Sequence, residues 1–233
     1  MRKISILSYL LIFCACAFAN RGQWGLHLIL GLPQGEFKDN VDRVGLGISG
    51  HLVGQVHPNL AVGAGLGLFI YGSESRREPF STTIPDVVVE VSRSNNFAFG
   101  DLIMQLQANT QTIKPYIEGR FGFNYLWTET TIKDVDGSED IASSANFDDF
   151  TLSYGGGAGM MFQVWQSKRT RGRLESGVSK VFIDVKALYM LGGEAEYLKE
   201  GSVVIGPGGS VTYIVSQSKT DLLSIHAGAA VEF

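Results

Sequence analysis

The chain has 233 residues, a length that suits one domain or at most two small ones. Charged residues are only 18% of the total, against roughly 25% in ordinary soluble domains, while glycine is abundant at 29 residues and aromatics reach 11%. The formal charge of −4 excludes the basic surface that nucleic-acid binding requires.

The first 19 residues have the three-part pattern of a secretory leader. Arg2 and Lys3 form a basic start, Ile4 to Phe13 runs apolar, and Ala17-Phe18-Ala19 offers small residues where a signal peptidase cuts, leaving Asn20 first. The apolar run is too short to span a bilayer as a helix. Cys14 and Cys16 raise a lipoprotein alternative, but Phe13 and Cys14 are poor residues before a lipidated cysteine. Both cysteines fall inside the leader, so residues 20–233 have no disulfide, thiolate metal site or Cys nucleophile. Losing Arg2 and Lys3 also makes the remaining balance more acidic. The expected division is therefore a signal peptide at 1–19 and one exported domain at 20–233. No later stretch reaches the ~18 apolar residues of a spanning helix.

From there the chain alternates with period 2. Trp24, Leu26, Leu28 and Leu30 interleave with Gly25, His27, Ile29 and Gly31. A weaker alternation covers 44–56, with Leu46, Ile48 and Leu52 on one face. Leu60, Val62, Ala64, Leu66, Leu68 and Ile70 interleave with small residues and Phe69. Residues 97–108 put Leu102, Met104 and Leu106 on the apolar face but leave Phe99 and Ile103 on the polar one. Ile117, Phe121, Phe123, Tyr125 and Trp127 interleave with Glu118, Arg120, Gly122 and Asn124. Residues 150–164 expose Leu152, Tyr154, Ala158, Met160 and Phe162, and 181–191 alternates around Asp184 and Lys186. The clearest case is last: Leu223, Ile225, Ala227, Ala229, Val231 and Phe233 against Ser224, His226, Gly228, Ala230 and Glu232. A helix would mix these two sets, because its faces repeat every 3.6 residues. Eight such segments predict an all-β, up-and-down antiparallel transmembrane barrel.

Connector lengths agree with that topology. His57-Pro58-Asn59 and 109–113 are short, whereas 73–95, 131–149 and 192–220 are long and polar, as are the outer loops of membrane barrels. Residues 165–178, with Lys168, Arg169, Arg171 and Arg173, are long for an inner turn and read as a solvated basic turn. Within 74–95, Ile84 to Val91 is β-prone and is expected to extend its strand above the membrane, where an exposed edge can accept a partner strand.

A soluble eight-stranded barrel has the same period with its apolar face inward. Two features favour the membrane form. Asp101, Glu118, Arg120, Asp184 and Lys186 sit mid-strand on the small or polar parity, where they can pair across a lumen; His27, His51 and His226 share that parity. Aromatics of the other parity gather at two levels: Trp24, Phe162 and Phe233 at one rim, and Tyr125, Trp127, Tyr154 and Tyr189 toward the other, like the girdles of a membrane barrel.

The alternating run ending in Phe233 resembles the signal that delivers outer-membrane barrels to their assembly machinery. Lys114-Pro115-Tyr116-Ile117-Glu118-Gly119-Arg120-Phe121-Gly122 resembles a strand opening of the family of small outer-membrane β-barrel domains, and 31–37 and 191–198 are similar to other pieces of it. The resemblance implies a barrel in the bacterial outer membrane, in contact with its lipid and lipopolysaccharide. It implies a fold and a membrane rather than a function, and nothing here resembles the peptidoglycan-binding domain of OmpA-type proteins; no enzyme and no cofactor is expected.

Three sites of possible chemistry remain. His27, His51 and His226 are of a type that suits zinc, copper or nickel, but a hydrogen-bonded polar interior is the preferred explanation, and no metal is expected. Ser224 and His226 share a face, yet no carboxylate partner is assignable for a triad. The acidic stretch Asp134, Asp136, Glu139, Asp140, Asp148 and Asp149 lacks the ligand spacing of a calcium loop and reads as solvated. The expected role is structural or surface-interacting through long outer loops, with a possible extracellular protein partner. A narrow channel or small hydrophobic-ligand carrier is the second expectation, and a lipid-modifying barrel enzyme the third.

Overall fold

A computed structural model describes residues 21–41, 43–81, 84–110, 112–133, 140–167, 169–170, 173–174, 177–205 and 211–233. The expected signal peptide lies outside these residues, as do Asp134, Asp136 and Glu139 of the acidic stretch.

Eight strands close a barrel: β1 (Gly22–Pro33), β2 (Gly45–His57), β3 (Leu60–Ser81), β4 (Ile84–Gln107), β5 (Ile113–Lys133), β6 (Asp140–Gln166), β9 (Lys180–Gly192) and β12 (Leu222–Glu232). Their order around the wall is β1-β12-β9-β6-β5-β4-β3-β2, and every neighbouring pair is antiparallel. Sequence neighbours are wall neighbours throughout, apart from the small elements between β6 and β12. Closure through β1 and β12 leaves no strand edge in the lower barrel, so its backbone groups are paired without water. The Phe233 amide extends this seam by donating to the Gly22 carbonyl, and its ring lies over Gly22.

All eight alternating segments of the sequence are strands, and their apolar parity points outward. Leu28 is 70% exposed and Leu66 69%, whereas His27 and Asp184 on the opposite parity are buried. Polarity is thus inverted relative to a soluble barrel.

The strands differ from the sequence reading in length. Residues 131–149, and 73–95 outside the β-prone run at 84–91, are expected as loops, but β3 and β4 pair up to Ser81 and Ile84, and β5 and β6 pair up to Lys133 and Asp140. The reason is physical: beyond the apolar zone both faces of a strand are wet, so no apolar–polar alternation marks it. The β-prone run starting at Ile84 is part of this extension of β4.

Three small elements complete the chain. A short helix, α1 (Gly35–Asn40), follows β1; its first residue, Gly35, has φ +54, a left-handed conformation that favours glycine. The 192–220 segment forms a hairpin of β10 (Glu194–Ile205) and β11 (Val211–Lys219). The basic turn contains the two-residue pair β7 (Arg169–Thr170) and β8 (Arg173–Leu174). The sequence reading has none of these, since each is too short or too polar to show a period.

Candidate functional site

The barrel interior is layered. Near the short turns, Tyr116, Met161, Phe182 and Ala230 form one apolar group, and Val53, Ala61 and Ile103 another. At the long-loop end, Phe37, Val41, Phe69, Tyr71, Phe97, Leu126, Ala195, Tyr197 and Leu222 pack into a plug, with Phe99 against it. Phe69 stacks on Phe97 at 4.5 Å, and the Phe37 ring meets the edges of Tyr71 (5.7 Å) and Tyr197 (5.4 Å). Helix α1 therefore exists to insert Phe37, fully buried, into the mouth. Burial holds the Tyr197 phenol above its ordinary pKa, and its neutral hydroxyl pairs with Ser218 Oγ at 2.7 Å. These layers take up Phe99 and Ile103, the large apolar side chains on the inward parity of β4.

Between the apolar layers lies a charged belt. All eight residues expected at the lumen are inside and buried: His27, His51, Asp101, Glu118, Arg120, Asp184, Lys186 and His226. Arg120 is its hub. Its Nε donates to Glu118 Oε1 (2.9 Å) and its Nη1 to Asp101 Oδ2 (3.0 Å). Lys186 Nζ stands 3.7 Å from Glu118 Oε1. His27 Nε2 meets Asp184 Oδ2 at 2.8 Å, and the Tyr116 hydroxyl donates to Asp184 Oδ1 at 2.7 Å. Charges buried this deeply persist only when paired and hydrogen-bonded.

His226 meets the His27 ring edge-on, 6.1 Å between centroids, but both its nitrogens face serines. Its Nδ1 faces Ser49 Oγ (3.1 Å) and its Nε2 faces Ser224 Oγ (2.9 Å). His27 and His51 instead stack at 5.2 Å between centroids. Asp184 joins them, so that ligand-capable atoms of His27, His51 and Asp184 all lie within 4.8 Å of one another. The group with ligand-capable atoms close together is therefore two histidines and an aspartate, with His226 outside it.

Several belt residues escape the sequence reading. Gln105 donates to Glu118 Oε2 (2.6 Å), and Gln107 donates to Gln105 Oε1 (2.9 Å). Gln23 reaches toward His51 Nε2 (3.5 Å). Parity would have found them: Gln105 is four residues from Asp101, and Tyr116 two from Glu118, each on the same face.

On the outside, Trp24, Phe162, Trp165 and Phe233 are exposed at the short-turn end. Phe121, Phe123, Tyr125, Phe150, Tyr154 and Tyr189 are exposed toward the long-loop end. Phe123 stacks on Phe150 (5.2 Å) and Tyr125 on Trp127 (5.4 Å), with Trp127 half-buried. Of the acidic stretch, Asp148 accepts from the Tyr125 hydroxyl, joining β6 to β5, and Asp149 from the Glu196 amide, joining β6 to the β10–β11 hairpin.

A closed up-and-down barrel with an apolar outside and charge buried inside is the transmembrane class of β-barrel. No family model matches the chain, and no curated protein matches it. Among solved structures it is similar to Ail, the attachment invasion locus protein of Yersinia pestis, in complex with the heparin analogue sucrose octasulfate (12% identity, 91% of this chain and 97% of that one, TM-score 0.41). It is also similar to Neisserial surface protein A (12% identity, 91% and 94%, TM-score 0.38). A third is the N-terminal β-barrel domain of Pseudomonas aeruginosa OprF (9% identity, 91% and 97%, TM-score 0.32). Likenesses at this level carry nothing about function; the class rests on strand register and on the inverted polarity.

Proposed function

We propose that the protein is a bacterial outer-membrane barrel with a structural or surface-interaction role, anchored by its wall and meeting its surroundings through its long-loop end. The observation that carries this reading is the unequal height of the wall. β2 leaves the sheet at the Leu46–Ile70 pair and β9 at the Gly192–Ser153 pair, whereas β3, β4, β5 and β6 continue together beyond them. The result is a four-stranded sheet standing above the apolar zone. From Tyr71 to Ser81 the backbone of β3 pairs only with β4 among the described residues, so its other edge is free to take a strand from an extracellular protein. The exposed Leu, Ile and aromatic belt suits lipid and lipopolysaccharide, and the Phe233-ended strand suits the barrel assembly machinery.

The interior speaks against a channel, because ion pairs and an aromatic plug fill it, as expected for eight strands. Ser224 and His226 are buried in the lumen, away from any lipid to be cleaved, so a lipid-modifying enzyme has no support from them. The test is to replace the β3–β4 and β5–β6 extensions with short turns and to produce both forms in a bacterial outer membrane. Heat-modifiable gel mobility should be kept by both forms. Attachment of the cells to protein-coated surfaces should fall with the trimmed form. Equal attachment, or absence of the full-length form from the outer membrane, would sink the reading.

A further inference from the structure

We propose that His27, His51 and Asp184 form a binding site for a zinc-type divalent transition-metal ion inside the barrel. Two imidazoles and one carboxylate are a set zinc uses when three protein ligands leave a fourth position for water. Donors about 2.0–2.2 Å from a tetrahedral ion lie roughly 3.3 Å from each other. Their ligand atoms all lie within 4.8 Å of one another, and His27 Nε2 and Asp184 Oδ2 are already 2.8 Å apart. An ion would open the His27–Asp184 contact by about 0.5 Å, to the donor spacing of a tetrahedral site, and draw in His51.

His51 is free to close in. Its Nδ1 is buried without a hydrogen-bond partner, and its Nε2 meets the Gln23 amide at 3.5 Å, the limit of such a bond. Orphaned polar atoms are rare in protein interiors and call for a cause. The two rings are nearly parallel, 20° apart. Their Cε1 edges converge over Gly25, where a Cβ would sit 2.3 Å from His51 Cε1 and 2.9 Å from His27 Cε1. Any other residue at 25 would push the pair apart.

The surroundings fit a cation. Tyr116 holds Asp184 by Oδ1, which orients Oδ2 toward the imidazoles in the way outer partners orient metal ligands. Arg120 takes up Asp101 and Glu118, which leaves the Asp184 carboxylate to His27 and Tyr116. A cavity of about 700 Å³ opens at the short-turn end, and Gln23 and Gln107 line it. The buried Gln23 side chain stands between this cavity and His51, so an ion entering from below passes where Gln23 now sits.

The test uses the full barrel, without a histidine tag, in detergent micelles after chelator treatment. Titration with zinc chloride should give one ion per chain, and Co²⁺ should give the intense visible absorption of a tetrahedral or five-coordinate site. His51→Asn and Asp184→Asn should each weaken zinc binding at least tenfold, and Tyr116→Phe by about tenfold to a hundredfold. His226→Asn and His57→Asn, the latter on the exposed turn, should keep the one-to-one stoichiometry. Heat-shifted gel mobility reports whether each variant is folded. A folded wild type that binds no stoichiometric zinc overturns the proposal whatever the variants do. Unchanged affinity in folded His51→Asn, or loss of the site in folded His226→Asn, overturns the ligand assignment.

Discussion

His27 on β1 and Asp184 on β9 touch at 2.8 Å although β12 runs between their strands. The residue of β12 in register with both is Gly228, which has no side chain to separate them. A Cβ there would lie 2.0 Å from the Leu26 carbonyl and 2.6 Å from His27 Cα, both backbone atoms that cannot swing away. Gly228→Ala should therefore destabilise the barrel by about 1–3 kcal/mol, the usual range for overpacking. Urea unfolding in vesicles, followed by tryptophan fluorescence, measures it; an unchanged midpoint would mean that the seam between β1 and β12 is looser than described.

Arg120 joins two buried carboxylates, and removing it leaves Asp101 and Glu118 with less compensation. Arg120→Met should cost about 3–5 kcal/mol, as for other broken buried pairs. Arg77→Met, at an exposed position on β3, should stay within about 0.5 kcal/mol. The same unfolding measurement compares them, and similar losses in both would deny the hub its importance.

Leu28 sits in the middle of β1, facing out. In a bilayer Leu28→Arg should cost about 2–4 kcal/mol, the midplane penalty for arginine on a barrel's lipid face. Folding yield into vesicles should fall accordingly. A soluble barrel would take this change without loss, so full folding would contradict the membrane-facing assignment.

Phe37→Ala empties the centre of the mouth plug. Loss of a fully buried phenylalanine should cost about 3–5 kcal/mol. Because α1 and the β10–β11 hairpin meet through Phe37 and Tyr197, limited proteolysis should then cut at these elements first. The charged belt lies below the plug and is untouched, so planar-bilayer recordings should stay silent. Steady conductance in this variant would show that the plug alone seals the lumen.

Much of this architecture was legible in the chain as written. Eight period-2 segments locate eight strands, because a strand's side chains alternate strictly and one face of each meets a different medium. Parity also sorts Asp101, Glu118, Arg120, Asp184, Lys186 and the three histidines onto one face. Where both faces meet water, as in 73–81 and 140–149, the alternation vanishes and the strands pass for loops. Helix α1 is likewise invisible at six residues.

The tertiary structure decided which face points inward, since alternation is identical in a soluble and a membrane barrel. It also decided which inward groups meet. Contacts such as His27 with Asp184, or His226 with Ser49, depend on the register of strands that are remote in the chain, and on a glycine that lets side chains reach across a whole strand. Local pattern carries no record of register, so the sequence by itself determines the strands and their two faces, and only closure of the barrel turns eight inward polar residues into a site.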